Sequence, residues 1–496
     1  MPQSQIKLYY KNVLAEVIGD EHGITNKQWD DLAEKVGPLI PIIMEEIVGN
    51  KRHPDITPTR YGLLPGNTEI IQEVKDRVKE VRENGPCDNL VVLGIGGSAL
   101  GNIALQTALN PYMYNLGEKQ RRGPRLFVFD NVDPAQFDSF LRWADENDQL
   151  GKTLFNVISK SGQTAETASQ LLIVRQKLLD RIGPEGFRNQ VIATTDAQHG
   201  TLRAIADQAK LRTLKVPDDV GGRFSVLSAV GLFSAAMCGI EIDELLAGAR
   251  DMHKQVSCEN FKENPAAINA AIHYHYYHHG KKNSVIMPYA YALKDMADWY
   301  RQLWAESLGK STDLNGNPVF IGPTPIKALG ATDQHSQVQL YREGPNDKVF
   351  TFLQVENFGD NPEIEISPAP EGVAELDYLA GKKMSMLLNC EKQATEYALL
   401  NDERPCLTVL FDRVTPYTVG QFIYLFEVMT SFAGALFNID TYNQPAVELG
   451  KQATFALMGM TGEYKPGCTY EQFAEKIRAK TNIDKDFLVG DRPDLT

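Results

Sequence analysis

Seven short runs of β-branched, aliphatic and aromatic residues constrain this chain more than any other feature. Each closes on a glycine-rich or polar turn and is followed by a helix-length stretch. Four lie in the first half: NLVVLGIGG (89–97), RLFVFDN (125–131), TLFNVISKSG (153–162) and NQVIATTD (189–196). Three lie beyond it: NSVIMPYA (283–290), KVFTFLQVEN (348–357) and CLTVLFDR (406–413). Runs this apolar offer no face to water, so they need cover on both sides, and the helix-length spacers supply the crossovers of parallel strands. The expected class is therefore α/β, as two doubly wound αβα units with mostly parallel sheets and helical segments at either end. The first eighty residues carry helical spacing in WDDLAEKVGPLIPIIMEEIV and IIQEVKDRVKEV. The division expected is a helical segment over 1–80 packed on the larger unit, a smaller unit over 81–240, a larger one over 241–455, and an extension over 456–496. A chain of 496 residues has room for this, at about 150 residues per domain.

Charge and cysteine usage narrow the function. With 50 Lys+Arg against 64 Asp+Glu, the net charge is 50 − 64 = −14. Such a surface repels phosphodiester backbones, so nucleic acid is not an expected partner, and any bound phosphate needs a local site. Six cysteines stand far apart with no CxxC pair, the spacing of free thiols in a reducing compartment, so the cytoplasm is expected. The N-terminal residues carry no uninterrupted apolar stretch, and no signal peptide is read there. Residues 419–439 are apolar for nearly the length of a bilayer, but Gln421 and Glu427 interrupt them and no Lys/Arg cluster flanks them. The expectation is a buried core helix and no membrane.

Open parallel sheets bind ligands beyond the carboxyl ends of their strands. Gly94-x-Gly96-x-x-Ala99 follows the first run and satisfies a relaxed dinucleotide fingerprint, with Asp130 placed as a ribose-binding acid would be. A nicotinamide-dependent dehydrogenase, a sugar-phosphate site at Gly97 and Ser98, and a tight turn without ligand are all open on this loop alone. The loop Ser159-Lys160-Ser161-Gly162-Gln163-Thr164 offers hydroxyls and amides at a helix start, which suit a phosphomonoester. It lacks the spacing of a nucleoside-triphosphate loop, and its plain alternative is a helix cap with Glu166 complementing the helix dipole.

Further along, Arg223 follows two glycines, where a guanidinium can be held against a ligand, or else pair at the surface. Gln302 and Glu306 stand four apart on one face of a helix, and a carboxyl among Leu303, Trp304 and Ala305 is a candidate general base as readily as a solvated one. His335 lies in a polar loop suited to a ligand. Gln444, Glu448 and Lys451 share a turn and helix, where Glu and Lys ordinarily pair with each other. HYHYYHH (273–279) lacks the HExxH pattern and any cysteine partner, so it reads as a helix surface or interface and no metal site is expected.

Taken together, LGIGGSALG, SKSGQTAET, DDVGGRFS, WYRQLWAESLGK, GATDQHSQ and YNQPAVELGK resemble the phosphoglucose isomerase family in its shorter bacterial form. They follow that family's order over roughly residues 90–455. Ala99 replaces a common Asp, and Ser161 stands where many members have Thr; neither change removes a phosphate-binding hydroxyl or amide. The resemblance implies two sugar-isomerase-type (SIS) domains in a homodimer and metal-independent, cofactor-free interconversion of glucose 6-phosphate and fructose 6-phosphate in glycolysis and gluconeogenesis. It implies phosphate contacts from Ser98, Ser159, Ser161 and Thr164, with backbone amides near Gly97 and Lys160. It implies Glu306 as the base between C1 and C2, Arg223 as the stabiliser of the enediolate, and His335 with Lys451 at ring opening. Glu166, Gln302 and Gln444 are implied as supporting contacts, and His335 as a gift of the neighbouring subunit. The alternatives are a non-catalytic sugar-phosphate-binding protein of the same fold and, less well supported, a dehydrogenase using the GIGGSA loop. The latter leaves SKSGQT, Glu306 and His335 without roles.

Overall fold

A computed structural model describes residues 5–359, 364–484 and 487–490, and all seven apolar runs are strands in it. In chain order the strands are β1 (Ile6–Tyr9), β2 (Asn89–Leu93), β3 (Arg125–Phe129), β4 (Thr153–Ile158), β5 (Val191–Thr195) and β6 (Arg212–Lys215). There follow β7 (Asn283–Pro288), the hairpin β8 (Lys310–Thr312) with β9 (Pro318–Ile321), β10 (Thr324–Lys327), β11 (Lys348–Asn357) and β12 (Cys406–Arg413). A last small pair is β13 (Glu463–Lys465) and β14 (Cys468–Thr469).

The first sheet runs β3-β2-β4-β5-β6 and is parallel throughout. Its strands are covered on both faces, as their composition requires: Leu90 and Val92 of β2 join one core, Val91 and Leu93 another. The chain leaves β2 for β3 on one side and then builds outward from β4 on the other. Adjacent loops diverge at such a switch point, which opens a crevice beyond the carboxyl ends of β2 and β4.

The second sheet runs β1-β12-β11-β7-β10, parallel except for β1. The N-terminal segment is helical as expected but for β1, which pairs antiparallel with β12. Its buried Ile6 N–H donates to Gln421 Oε1 at 3.0 Å, so the glutamine that interrupts the apolar stretch closes a strand edge. That stretch is the helix Pro416–Leu436, begun by Pro416 and a capping box between Thr415 and Thr418. It is long and apolar enough to cross a membrane by length and composition, and 94% of its apolar window is buried inside the structure.

Glu427 on this helix is fully buried, and neither carboxyl oxygen has a hydrogen-bond partner among the described residues. Burial pushes its pKa well above the ordinary glutamate range. Such a group binds its proton more tightly folded than unfolded. Stability is therefore lost as pH rises from the unfolded value towards the raised one, by up to about 1.4 kcal/mol per pH unit. Glu427→Met is expected to raise Tm, and to raise it more near about pH 8 than near about pH 5, in thermal unfolding at the two pH values.

The histidine run departs from expectation. His273 and His275 are buried rather than on a helix surface. On the helix Pro265–His278, His273 Nδ1 donates to the Asn269 carbonyl at 3.0 Å. Its Nε2 lies 3.0 Å from Ser284 Oγ, which is 2.8 Å from the Tyr300 hydroxyl. With both ring nitrogens satisfied a neutral imidazole fits a core, and burial lowers the pKa of His273, as of His275, to about 4. Among the described residues no group of three or more His, Cys, Asp or Glu is arranged to hold a metal ion.

The chain divides into two compact units, Met1–Tyr442, which holds both five-stranded sheets, and Asn443–Thr496. In the second unit the helices Val447–Leu457 and Tyr470–Thr481 pack through Ala456, Tyr470 and Ala474 beside the β13–β14 pair.

Candidate active site

Loops following β2 and β4 and the end of a helix build the candidate site beyond the carboxyl ends of the first sheet. After β2, residues Gly96–Ser98 form a single 3-10 turn, with Gly96 at φ +57°. A Cβ on Gly97 would stand 2.2 Å from the carbonyl of Gly222 and 2.7 Å from Arg223 N, so the first loop and the GGRF turn touch backbone to backbone. A Cβ on Gly96 would stand 3.0 Å from Gln302 Nε2. Gly96 of the fingerprint and the adjacent Gly97 thus serve close approach to protein groups. Gly97→Ala is expected to shift the turn that carries Arg223, with about a tenfold loss of kcat measured beside an unfolding curve.

The second loop follows β4. Ser159 is buried, its Oγ accepting from Gly162 N at 3.0 Å and lying 3.4 Å from Thr164 Oγ1. Ser161 is exposed, with Oγ accepting from Gln163 N at 3.2 Å. Thr164 precedes the helix Ala165–Gln190 but makes no side-chain cap bond, so the plain cap reading does not describe its hydroxyl. Glu166 sits half-buried in the first turn. The Lys160 ammonium turns to the carbonyls of Pro217 (3.2 Å) and Asp218, stapling this loop to the segment that leads into Gly221. Ser98 is half-buried, and its carbonyl accepts from Asn102 Nδ2 at 2.9 Å.

The third component is the helix Lys294–Leu308, whose last turn presents Glu306. Both carboxylate oxygens are held: Oε1 by Arg223 Nη1 at 2.9 Å, and Oε2 by Gln302 Nε2 at 3.0 Å. The Glu306 side chain remains 26% exposed, while that of Arg223 is 1% exposed. Arg223 is therefore not the surface arginine that a loop position allows. Its Nε donates to Ser307 Oγ at 2.7 Å and its Nη2 to the Thr441 carbonyl at 2.7 Å, so the planar fork is fixed on three sides. Burial draws its pKa below the usual guanidinium value, against the opposing pull of Glu306. Gln302 Oε1 is buried without a hydrogen-bond partner among the described residues, an acceptor beside the carboxylate.

His335 closes the 3-10 turn Thr332–His335 after β10, exposed, and its imidazole makes no hydrogen bond or ion pair among the described residues. Gln444 and Lys451 belong to the second unit, where Lys451 Nζ pairs with Glu448 Oε1 at 2.6 Å. Gly97, Arg223, Gln302 and Glu306 are thus brought together; Ser159, Ser161 and Thr164 share the neighbouring loop.

Three participants escaped the sequence reading: Ser307, Thr441 and Lys310. Lys310 Nζ donates at 2.9 Å to the carbonyls of both Glu306 and Ser307, closing the carboxyl end of the helix beneath the carboxylate. Burial, then the Arg223 charge, lowers its pKa to about 8. Its position four residues beyond Glu306, just past the helix end, is the one signal that pointed to it.

The family model for phosphoglucose isomerase matches residues 65–460. A glucose-6-phosphate isomerase of Carboxydothermus hydrogenoformans is 50% identical over 395 residues, which are 79% of this chain and 83% of that protein. One from Rubrobacter xylanophilus is 39% identical over 455 residues, 91% of this chain and 98% of that protein. A crystal structure of a glucose-6-phosphate isomerase from Chlamydia trachomatis superposes with a TM-score of 0.77 at 20% identity, covering 96% of this chain and 92% of that one. At that identity the likeness speaks for the fold alone.

Proposed function

The chain belongs to the phosphoglucose isomerase family and is an aldose–ketose isomerase, and from that premise we propose that it interconverts glucose 6-phosphate and fructose 6-phosphate by proton transfer on Glu306. The observation that carries this assignment is the Glu306 carboxylate, partly exposed, with a buried guanidinium fixed against it.

The chemistry asks for little else. A hydrogen on a carbon beside a carbonyl is weakly acidic, so the oxyanion must be stabilised where it forms. Glu306 takes the C2 proton of the open-chain aldose; the C–H electron pair becomes the C1–C2 double bond, and the carbonyl pair moves to O1. The negative charge thereby leaves Glu306 for the enediolate, and Arg223 stays beside both. The O2–H proton passes to O1 as the C2–O2 bond becomes the carbonyl, and return of the proton from Glu306 to C1 gives the ketose; one carboxylate serves both carbons because a cis-enediol presents them on one face. His335 and Lys451 are the groups we assign to ring opening, with Glu166 and Gln444 as supporting contacts. Gln302, which holds Glu306 Oε2, is a further supporting contact. Ser98, Ser159, Ser161 and Thr164, with amides near Gly97 and Lys160, take the phosphate, whose remote binding energy orients the reacting carbons.

We further propose a cytoplasmic homodimer in which the exposed His335 completes the partner's site. Six free cysteines suit a reducing compartment. The dimer has a direct check: mixing Glu306→Gln and His335→Ala subunits is expected to restore about a quarter of wild-type activity, since half the dimers are mixed and each has one intact site. No recovery on mixing would place His335 in its own subunit's site or outside the chemistry. The function itself is tested by a coupled assay, fructose 6-phosphate in and glucose 6-phosphate out, with EDTA present. Continued turnover is expected. Binding without turnover would make the protein a sugar-phosphate receptor, and activity lost to chelator would make it metal-dependent.

A further inference from the structure

The N-terminal sixty residues lie before the matched family region, yet they reach the guanidinium at the heart of the site. Arg223 is aimed by the Thr441 carbonyl, and several of the bonds that hold residues Ile439–Tyr442 come from this segment. Arg52 Nη2 donates to the Ile439 carbonyl at 2.8 Å. Thr57 donates to Asp440 Oδ2 through its N–H at 3.2 Å and its hydroxyl at 2.7 Å, while Oδ1 accepts from Tyr442 N at 3.0 Å. The Tyr442 hydroxyl donates to Glu46 Oε1 at 2.7 Å, and Glu46 is 2% exposed and paired with Arg52 at 2.5 Å. The backbone side of Arg223 meets the same group of residues. Phe224 stacks on Tyr61 with centroids 4.7 Å apart and meets Tyr442 edge-on at 5.7 Å. The hydroxyls of Tyr61 and Tyr442 converge on Ser431 Oγ, at 2.7 and 3.0 Å.

We infer that the buried Glu46–Arg52 pair is a positioning device for the reaction: through Tyr442 and the Ile439 carbonyl it fixes Thr441, and through Thr441 the orientation of Arg223 towards Glu306. A buried ion pair is a costly way to gain stability, since well-packed apolar residues do as well. It is well suited to holding a loop in one arrangement, because every partner that slips leaves a charge or a carbonyl unpaired in the interior. None of these groups touches substrate. Their effect falls on the turnover step and leaves the phosphate loops alone.

The inference rests on the proposed role of Arg223, and a double-mutant cycle separates the two. Glu46→Gln keeps an acceptor for Tyr442 and removes the charge that holds Arg52; Tyr442→Phe is the milder companion should Glu46→Gln not fold. In the wild-type background either change is expected to lower kcat about tenfold, with KM for fructose 6-phosphate and inhibition by inorganic phosphate within about twofold of wild type. In an Arg223→Lys background the same change is expected to cost no more than about twofold, because the guanidinium it aims is gone. An equal loss in both backgrounds, or a loss that tracks Tm and KM together, would make the pair merely structural and overturn the inference. So would unchanged kcat for both variants, with the reading of Arg223 left standing. Full activity of Arg223→Lys alone would overturn that reading and this inference with it.

Discussion

Glu306→Gln is expected to lower kcat about a thousandfold, within the ~10²–10⁴ that a positioned base contributes, while inorganic phosphate still binds. The substitution isolates proton transfer well. The new amide keeps an oxygen to accept from Arg223 Nη1, and it sets an NH2 group against Gln302 Nε2. Gln302 can answer by turning its amide, because its Oε1 has no other partner among the described residues. The fold and the phosphate loops, which lie on β2 and β4, should not register the change, and Tm within a degree or two of wild type is the control. Near-normal turnover would mean that another group moves the proton.

The second large effect is expected for Arg223→Lys, which keeps the charge and loses the fork. Three N–H groups now reach Ser307 Oγ, Glu306 Oε1 and the Thr441 carbonyl at 2.7 to 2.9 Å. An ammonium on a flexible stem cannot meet all three in a plane, and in a pocket this buried an abandoned acceptor costs about 1–3 kcal/mol. More important for the chemistry, a misplaced cation stabilises the enediolate less than one fixed against it. The loss expected in kcat is about 10²–10³, the size seen when a fixed oxyanion-stabilising donor is removed. Steady-state kinetics against a Tm measurement separate the two contributions. A fall in Tm with kcat retained would reduce Arg223 to a structural ion pair.

Seven strands could be read from the chain because each is a run of five residues or more rich in β-branched, aliphatic and aromatic side chains. β1, β6 and β10 could not, for a shared reason. Each is four residues long and sits at a sheet edge, where one neighbour and partial solvent cover suffice, so RTLK and TPIK carry no apolar signature. Strand order, and with it the switch point between β2 and β4, depends on pairings among distant segments and has no local signal. The site divides the same way. Loops that follow strands announced their chemistry through glycines and hydroxyls. The meeting of Arg223 with Glu306, 83 residues apart, and of Arg223 with Thr441, 218 apart, belongs to tertiary structure. The buried histidines stand apart from this reading because alternating His and Tyr resembles a polar face until both ring nitrogens of His273 are seen to be paired.

Tracing the hydrogen itself tests the central claim most directly. Glucose 6-phosphate tritiated at C2 should, with the wild-type protein, yield fructose 6-phosphate labelled at C1 and tritiated water, the split depending on how long the proton rests on Glu306. With Glu306→Gln both products should vanish together. Label released or transferred at the wild-type rate by that variant, or tritium recovered on a nicotinamide ring, would contradict the account.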